Sequence, residues 1–408
     1  MFIYNTADKF LSIICIKTTT LYKGMDIELL KNDYVGAFIR LERYVNQHYY
    51  NDFCNFSEVS TEYRPLGGAE SFELFSPLGS VDEVILSGND KKGSAALQNF
   101  NFFFHPDGGY DYPMQRSKVM AFPTSSTCTV LSTSLSPEPV FIKTSIPKRI
   151  SRFSRELLFT DAKHSMEVCG EIKSLCMGSK DFACLDEFAI TSYLGVGCLF
   201  RSFSPFPKRK GFLIPMFSLC SFDHLAPSDE YLINQISEKT GWSIKSILRW
   251  VIENTISFWC KAALEKGLLL ELHGQNLLME VDNDFFPKRA VARDFCSVRI
   301  DEQARKKMGL VCGFERRVIG KSAHFPRDKE YSLAYDFFTC HHFLLPLIEK
   351  CCETYGLAPE KFFEFAKGIF KNYFPDGGPF PKKPYGYTDD IFVEKPPELT
   401  ELDFKLLR

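Results

Sequence analysis

The chain has 408 residues, 45% hydrophobic and 25% charged, with 49 Lys and Arg against 51 Asp and Glu for a formal net charge of −2. This is globular composition with room for two or three cored units, and it excludes a disordered or fibrous chain. It also excludes bulk nucleic-acid binding, which needs concentrated positive surface, and no run reaches the ~18 to 20 apolar residues of a bilayer span.

The opening MFIYNTADKFLSIICI is apolar, but Asp8 and Lys9 interrupt it and no small-residue cleavage site follows. A soluble, cytoplasmic protein without membrane or nucleic-acid partners is therefore expected, and Met25 is an equally sensible start of the folded part. Ile27, Leu29, Leu30, Tyr34, Phe38, Leu41 and Val45 recur at helical spacing and predict a helix over 26–50. From about residue 57 to 145 short strand-like runs follow (VDEVILS, NFNFFF, KVMAFP, CTVLSTS, PVFIKTS), divided by Gly, Pro, Ser and Asp. Ser151 is placed to cap a helix beginning RFSRELL. VGCLFRSF and GFLIPMFSL read as strands flanking the basic turn PFPKRKG, taken as a solvated hairpin tip. From Ser228, as N-cap, two amphipathic helices are expected; Gly267 ends the second, and LLLEL follows as a buried strand. The last third is again helical, with an irregular tail from Asp376 to Pro397. Fourteen cysteines without a C-x-x-C read as reduced, mostly buried thiols.

The densest polar cluster on an apolar background is LLLELHGQNLLMEVDNDFFPKRAVARDF. Glu271, His273, Gln275 and Asn276 sit in six residues, and Arg293-Asp294 follows a second short strand. Two carboxylates and a carboxamide are hard oxygen donors suited to Mg2+, and a His and an Arg suit phosphate oxygens. The set fits nucleotide chemistry, in which fixed cations neutralise charge developing on phosphates; the plainer alternative is a satisfied polar turn between strands. Upstream, FIKTSIPKRISRFSRELL carries Lys143, Arg149, Arg152 and Arg155 around Ser151.

Together these segments resemble the NRPS-independent siderophore (NIS) synthetases of the aerobactin-synthetase, or IucA/IucC, type. That family has Glu-x-His-x-Gln-Asn and, some twenty residues later, Arg-Asp-Phe; here these are Glu271, His273, Gln275, Asn276 and Arg293-Asp294-Phe295. It also has a Lys followed at +8 by Thr or Ser and at +12 by Arg, matched by Lys143, Ser151 and Arg155, and a strand ending in Arg, matched by Arg201. The resemblance implies an α+β fold: a mixed-sheet fingers domain (99–226) packed on a mainly helical palm (227–408), with a reduced thumb-like region (1–98). It implies an ATP-dependent acid–amine ligase that adenylates a carboxylate such as citrate, releases pyrophosphate, and passes the acyl group to an amine or hydroxyl with loss of AMP. Lys143, Arg155 and His273 would be catalytic; Ser126, Thr129, Lys143, Ser151, Arg155, His273, Gln275 and Asn276 would hold ATP. Glu271, Asn276 and Asp294 would lie at Mg2+, and the family tends to dimerise.

Two departures are visible. Where the family has Ser-x-Arg-Thr this chain has Ser126-Thr127-Cys128-Thr129, losing a guanidinium that a thiol does not replace. The family's N-terminal region is longer and carries a His-Pro-x-His-Lys motif, to which only His105-Pro106 corresponds. A non-catalytic relative that binds nucleotide or carboxylate is thus one alternative. A kinase-like phosphotransferase is another, because a His-Gly turn before an Asp-Phe also occurs in small-molecule kinases; Gln275 stands where such a loop wants a carboxylate.

Overall fold

The computed structural model describes residues 24–46, 59–87, 101–150, 153–226, 230–387 and 398–408. In chain order the strands are β1 Phe72–Pro77, β2 Glu83–Leu86, β3 Met114–Pro123, β4 Thr129–Ser132, β5 Val140–Lys143, β6 Ile146–Ile150, β7 Phe153–Arg155, β8 Phe182–Tyr193 and β9 Val196–Phe206. They continue with β10 Phe212–Pro215, β11 Leu268–Leu269, β12 Leu277–Val281, β13 Pro287–Ala292, β14 Arg299–Ile300, β15 Tyr385–Tyr387 and β16 Leu399–Glu401. The main helices are α1 Tyr34–Tyr44, α2 Phe159–Met177, α3 Leu232–Thr240, α4 Ile244–Lys261, α5 Glu302–Lys307, α6 Arg327–Ser332, α7 Leu345–Tyr355 and α8 Pro359–Tyr373. The fold class is α+β.

One ten-stranded sheet organises the chain in the order β1-β3-β4-β5-β9-β8-β13-β12-β10, with β2 on the edge of β8 beyond the reach of β13. Within this sheet, among the described residues, only β13 and β8 run parallel. Strands from all three expected regions enter this sheet. The helical part stacks α8 on α4, while α2 lies across β8 and β9. Trp259, Tyr335, Phe370 and Phe374 fill the helical core, and the Trp259 indole N–H donates to the Leu270 carbonyl (2.9 Å), so the large ring is buried without an orphaned donor. Among the described residues no helix is long and apolar enough to cross a membrane.

Several expected elements are displaced, each for a local reason. The helix expected over 26–50 is interrupted at Asp33, whose side chain accepts from the Gly36 N–H (3.0 Å) and starts α1 afresh; residues 47–50 lie outside the described ones. RFSRELL does not open a helix. Its Phe153–Arg155 pairs back on β6, and α2 begins only at Phe159, after the Ser145 hydroxyl has taken the Leu157 N–H (2.9 Å). Ser151 and Ser228 both lie outside the described residues, and α3 starts at Leu232. The basic PKRK segment is exposed but is not a hairpin tip, since β9 pairs with β5 and β8 whereas β10 pairs with β12. Phe102, Phe103 and Phe104 pack as core, contributing a single bridge from Phe104 to Phe75 rather than a strand. Of LLLEL only Leu268–Leu269 is strand.

α4 runs on through a π-helical stretch, Ala262–Lys266, which Gly267 ends as expected at φ +62; a Cβ there would collide with Arg305 and the Asp301 carbonyl. The twelve described cysteines are free thiols, eleven of them buried. From Leu333 to Leu344 the helix opened by α6 is wound as a π-helix before continuing into α7, a winding that often marks functional positions.

Candidate active site

Strand order explains how residues far apart in sequence meet. In β5 the side chains alternate, so Val140 and Ile142 enter one core while Phe141 and Lys143 face the opposite side. Thr129 pairs with Lys143 across β4–β5 and presents its hydroxyl on the same face. The neighbour of β5 is β9, which brings Arg201; next is β8, which brings Glu187; and β13 leads directly into Asp294. Four charged side chains therefore run across four adjacent strands. Irregularities on both sides of the Glu187–Arg201 pair re-aim these two residues toward each other.

Asp294 is the hub. Its φ of +66° is a left-handed conformation that Asp tolerates better than most residues. The Lys143 ammonium donates to both its carboxylate oxygens, at 2.6 and 2.9 Å, and lies 3.3 Å from Cys296 Sγ. Arg201 approaches the same carboxylate at 3.7 Å while binding Glu187 Oε1 through Nε (3.0 Å) and Nη2 (2.7 Å). Ser165 caps the other Glu187 oxygen. Burial by itself would raise the Asp294 carboxyl, but Lys143, Arg201 and Arg293 overcome it and hold it well below the usual carboxylate range. Burial would likewise lower Lys143; Asp294, with the thiols of Cys296 and Cys128, reverses this and keeps it firmly protonated. Burial pushes the Cys296 thiol up to about 12, so it stays protonated beside the ammonium.

His273 sits half-buried on the facing loop, its ring 6.2 Å from that of Phe338 on the π-helix. Burial lowers it to about 4 against the pull of Glu271 and Asp294, and Arg293 and Arg155 push the same way as burial. The imidazole is neutral at pH 7. The Asp294 charge thus acts on both Lys143 and His273. Arg155, at the end of β7, has no ion-pair partner among the described residues.

A third support comes from α1. Glu42 Oε2 accepts from the backbone N–H (3.1 Å) and hydroxyl (2.6 Å) of Ser125, and its Oε1 lies 2.6 Å from Arg293 Nη2, close in distance though outside hydrogen-bond geometry. Gln275 donates to Ser125 Oγ (3.2 Å), and its carbonyl accepts from Arg293 Nε (2.8 Å). The Ser126–Thr129 loop is therefore locked to the Gln275 turn. Asn276 closes that turn through its N–H to the His273 carbonyl (2.9 Å) and its side chain to the Glu271 carbonyl (3.2 Å).

Lys143, His273, Gln275, Asn276, Asp294, Ser126 and Thr129 are carried on this framework; Arg155 stands on the separate β6–β7 hairpin and its charge reaches His273, and Ser151 is outside the described residues. Glu271 is drawn to one side, its carboxylate bound by Arg299 and by Ser297 Oγ (2.6 Å), with Arg299 also held by Glu330. Sequence reasoning missed Glu42 and Glu187. Both had a signal: each is an acid on the apolar face of its element, Glu42 one helical turn from Phe38 and Val45, and Glu187 inside FACLDEFAI.

The donor set fits a polyphosphate. Among the described residues Thr129 Oγ1 is buried with no hydrogen-bond partner and Arg155 has no ion-pair partner, and His273 is a neutral ring. It does not offer a ready-made metal site. Glu271 and Asp294, expected with Asn276 at Mg2+, are each neutralised by a protein cation, and among the described residues no group of three His, Cys, Asp or Glu side chains is disposed to hold a metal. Cys128, in the family's Arg position, is buried with Sγ 3.4 Å from Ser126 Oγ.

Three neutral histidines set a pH signature. Burial lowers His105, His164 and His273 from 6.5 to about 4 each. Between these values the unfolded chain binds protons that the folded chain refuses, so stability should fall as pH drops from about 6.5 toward 4. For His105 and His164, both 2% exposed, the loss is on the order of 3 kcal/mol each. Denaturation midpoints measured across this range should fall with pH, and His105→Gln should flatten the slope; equal slopes would contradict the assignment.

Comparison with known proteins agrees with this frame. Residues 248–395, a minority of the chain, match the family described as ferric iron reductase FhuF-like transporter. A search of curated protein sequences gives no match. Among solved structures, the petrobactin biosynthesis protein AsbB from Bacillus anthracis str. Sterne superposes with a TM-score of 0.64 at 14% identity, over 89% of this chain and 74% of that one. ATP-bound aerobactin synthetase IucA from a hypervirulent pathotype of Klebsiella pneumoniae gives 0.60 at 14% identity, over 77% of this chain and 64% of that one. Aerobactin synthetase IucC from the same source gives 0.57 at 14%, over 78% and 65%. The chain thus spans between 64% and 74% of the length of these proteins. The architecture of this chain is that of the NIS siderophore synthetases, the group whose sequence pattern it resembles.

Proposed function

We propose that this protein is an ATP-dependent ligase of the siderophore-synthesis kind, which adenylates a carboxylate such as citrate and transfers the acyl group to an amine or hydroxyl. One observation carries the reading: Lys143 is bound to Asp294, the charges of Asp294 and Arg155 both act on His273, and beside Lys143 on the neighbouring strand the Thr129 hydroxyl is buried with no partner among the described residues. The likeness to an ATP-bound synthetase supports it at the level of fold.

In the proposed reaction a substrate carboxylate oxygen attacks the α-phosphorus of ATP, the bond to the β-phosphate oxygen breaks, and pyrophosphate leaves with that electron pair. The amine or hydroxyl then adds to the acyl carbon and expels AMP. Lys143 and Arg155 would hold the negative oxygens, Thr129 and Ser126 would donate hydroxyls, and Ser151 is assigned to the same role on its motif position. His273, being neutral, can donate a hydrogen bond to phosphate without adding charge. Gln275 and Asn276 would line the nucleotide. Such a site accelerates by positioning and fixed charge. Because the Glu271 and Asp294 carboxylates are ion-paired, no step is routed through Mg2+.

The test is ATP–pyrophosphate exchange over a panel of di- and tricarboxylic acids, with product analysis after an amine is added. AMP and pyrophosphate are expected; conversion only to ADP would overturn the ligase and favour phosphotransfer. The buried Cys128 favours a second reading, a nucleotide- or carboxylate-binding relative without turnover. Calorimetric ATP binding with no exchange over the whole panel would select it.

A further inference from the structure

Arg317 stands apart from the other arginines near the site. Arg299 is saturated by Glu271 and Glu330, and Arg316 is tied to Asp161 at the start of α2 (Nε 2.8 Å, Nη2 2.7 Å). Arg317 has no ion-pair partner among the described residues, and its Nε is buried without a hydrogen bond. A buried donor left open costs free energy and calls for an acceptor. Its backbone is also strained: φ is +53°, a conformation that long side chains seldom adopt. Strain here has a use, because it lets adjacent residues serve different partners, Arg316 at α2 and Arg317 elsewhere.

Its location is set by the segment that frames His273. The Arg317 carbonyl accepts from the Ile300 N–H (2.9 Å), next to Arg299 and close to Ser297, the two residues that hold Glu271. Phe338 touches both sides of this region, lying 5.9 Å from the Arg299 guanidinium, 6.2 Å from the His273 ring and 6.3 Å from the Tyr387 ring. The Arg317 charge is felt at Tyr387 and, on its other side, at His164 in α2.

We infer that Arg317 is a carboxylate-binding residue of the acid subsite, pairing with a carboxylate of the substrate other than the one that reacts. This rests on the ligase reading for its substrate class. A planar guanidinium with an open Nε offers the fork that a carboxylate accepts in bidentate fashion. An acid with a second carboxylate would thereby be favoured over a monocarboxylate.

The experiment uses the full chain, with citrate and acetate as probes, and compares Arg317→Asn with Arg317→Lys. Asn tolerates the left-handed backbone, so its loss of function reports the guanidinium rather than misfolding; melting temperatures check this. Arg317→Asn should raise the citrate KM in ATP–pyrophosphate exchange about 10- to 100-fold, in line with a hydrogen bond to a charged group, while the ATP KM stays unchanged. Arg317→Lys should recover part of the loss. An unchanged citrate KM, or a shift confined to ATP, would overturn the inference. If wild type exchanges with no acid, calorimetry with citrate separates the two ideas. Citrate binding lost in Arg317→Asn sustains this subsite while the ligase reading fails, and no citrate binding to wild type overturns the subsite.

Discussion

Arg155→Ala should lower acid-dependent ATP–pyrophosphate exchange about 10²- to 10³-fold, the range observed when one preorganised donor is removed from a charge-stabilising site. The reason for choosing Arg155 over Lys143 is structural. Arg155 breaks no ion pair among the described residues when truncated, whereas removing Lys143 strips Asp294 of its closest partner. The Arg155 variant therefore separates chemistry from folding: exchange and ATP affinity should collapse while the melting temperature holds. Retained exchange with wild-type ATP affinity would show that the phosphates bind elsewhere.

The largest stability effect is expected at Arg201. Its guanidinium is 2% exposed, the Glu187 side chain is fully buried, and the pair meets Asp294 on the far side. Burial would lower the Arg201 pKa, yet Glu187 and Asp294 outweigh it and raise it further, so the charge is permanent. Arg201→Leu leaves Glu187 without its counter-charge in a low-dielectric interior and should cost about 3–5 kcal/mol. Replacing both residues, as Arg201→Leu with Glu187→Leu, should recover much of that loss, because the desolvation of both charges disappears together. Urea denaturation of the two variants decides it. A single variant within about 1 kcal/mol of wild type would mean that water reaches Glu187.

Much of this was legible in the sequence because spacing within a segment survives folding. The turn from Glu271 to Asn276 and the Lys143 to Arg155 offsets are local, and the motif match needs no tertiary knowledge. The run of short strands before residue 145 and the helical last third followed from texture, while the α+β class was implied by the family resemblance. What escaped depends on partners. RFSRELL is amphipathic enough for a helix, but Ile146 draws Arg155 into register and makes a hairpin instead. The PKRK segment looked like a hairpin tip because strand-like runs flank it, yet which strands pair is decided by the whole sheet. Glu271 looked free to ligate a cation until Arg299, 28 residues on, was seen to hold it. Arg317 carried no sequence signal, since positive φ at a non-glycine is invisible in composition.

The row Lys143, Arg201, Glu187 and Asp294 bears on how the chain reaches this sheet at all. Its members come from strands that appear in the chain as fifth, ninth, eighth and thirteenth, so it closes only once a segment more than 150 positions downstream of Lys143 has docked. Moving β9 by one position along β8 would swing Arg201 to the opposite side, abandoning Glu187 among hydrocarbon and setting a cation in an oily layer. Mis-threaded assemblies are thereby penalised before they can settle. The cations and acids of this row also act as an error check on strand alignment, and the correctly threaded chain is the one in which each of these four charges is answered.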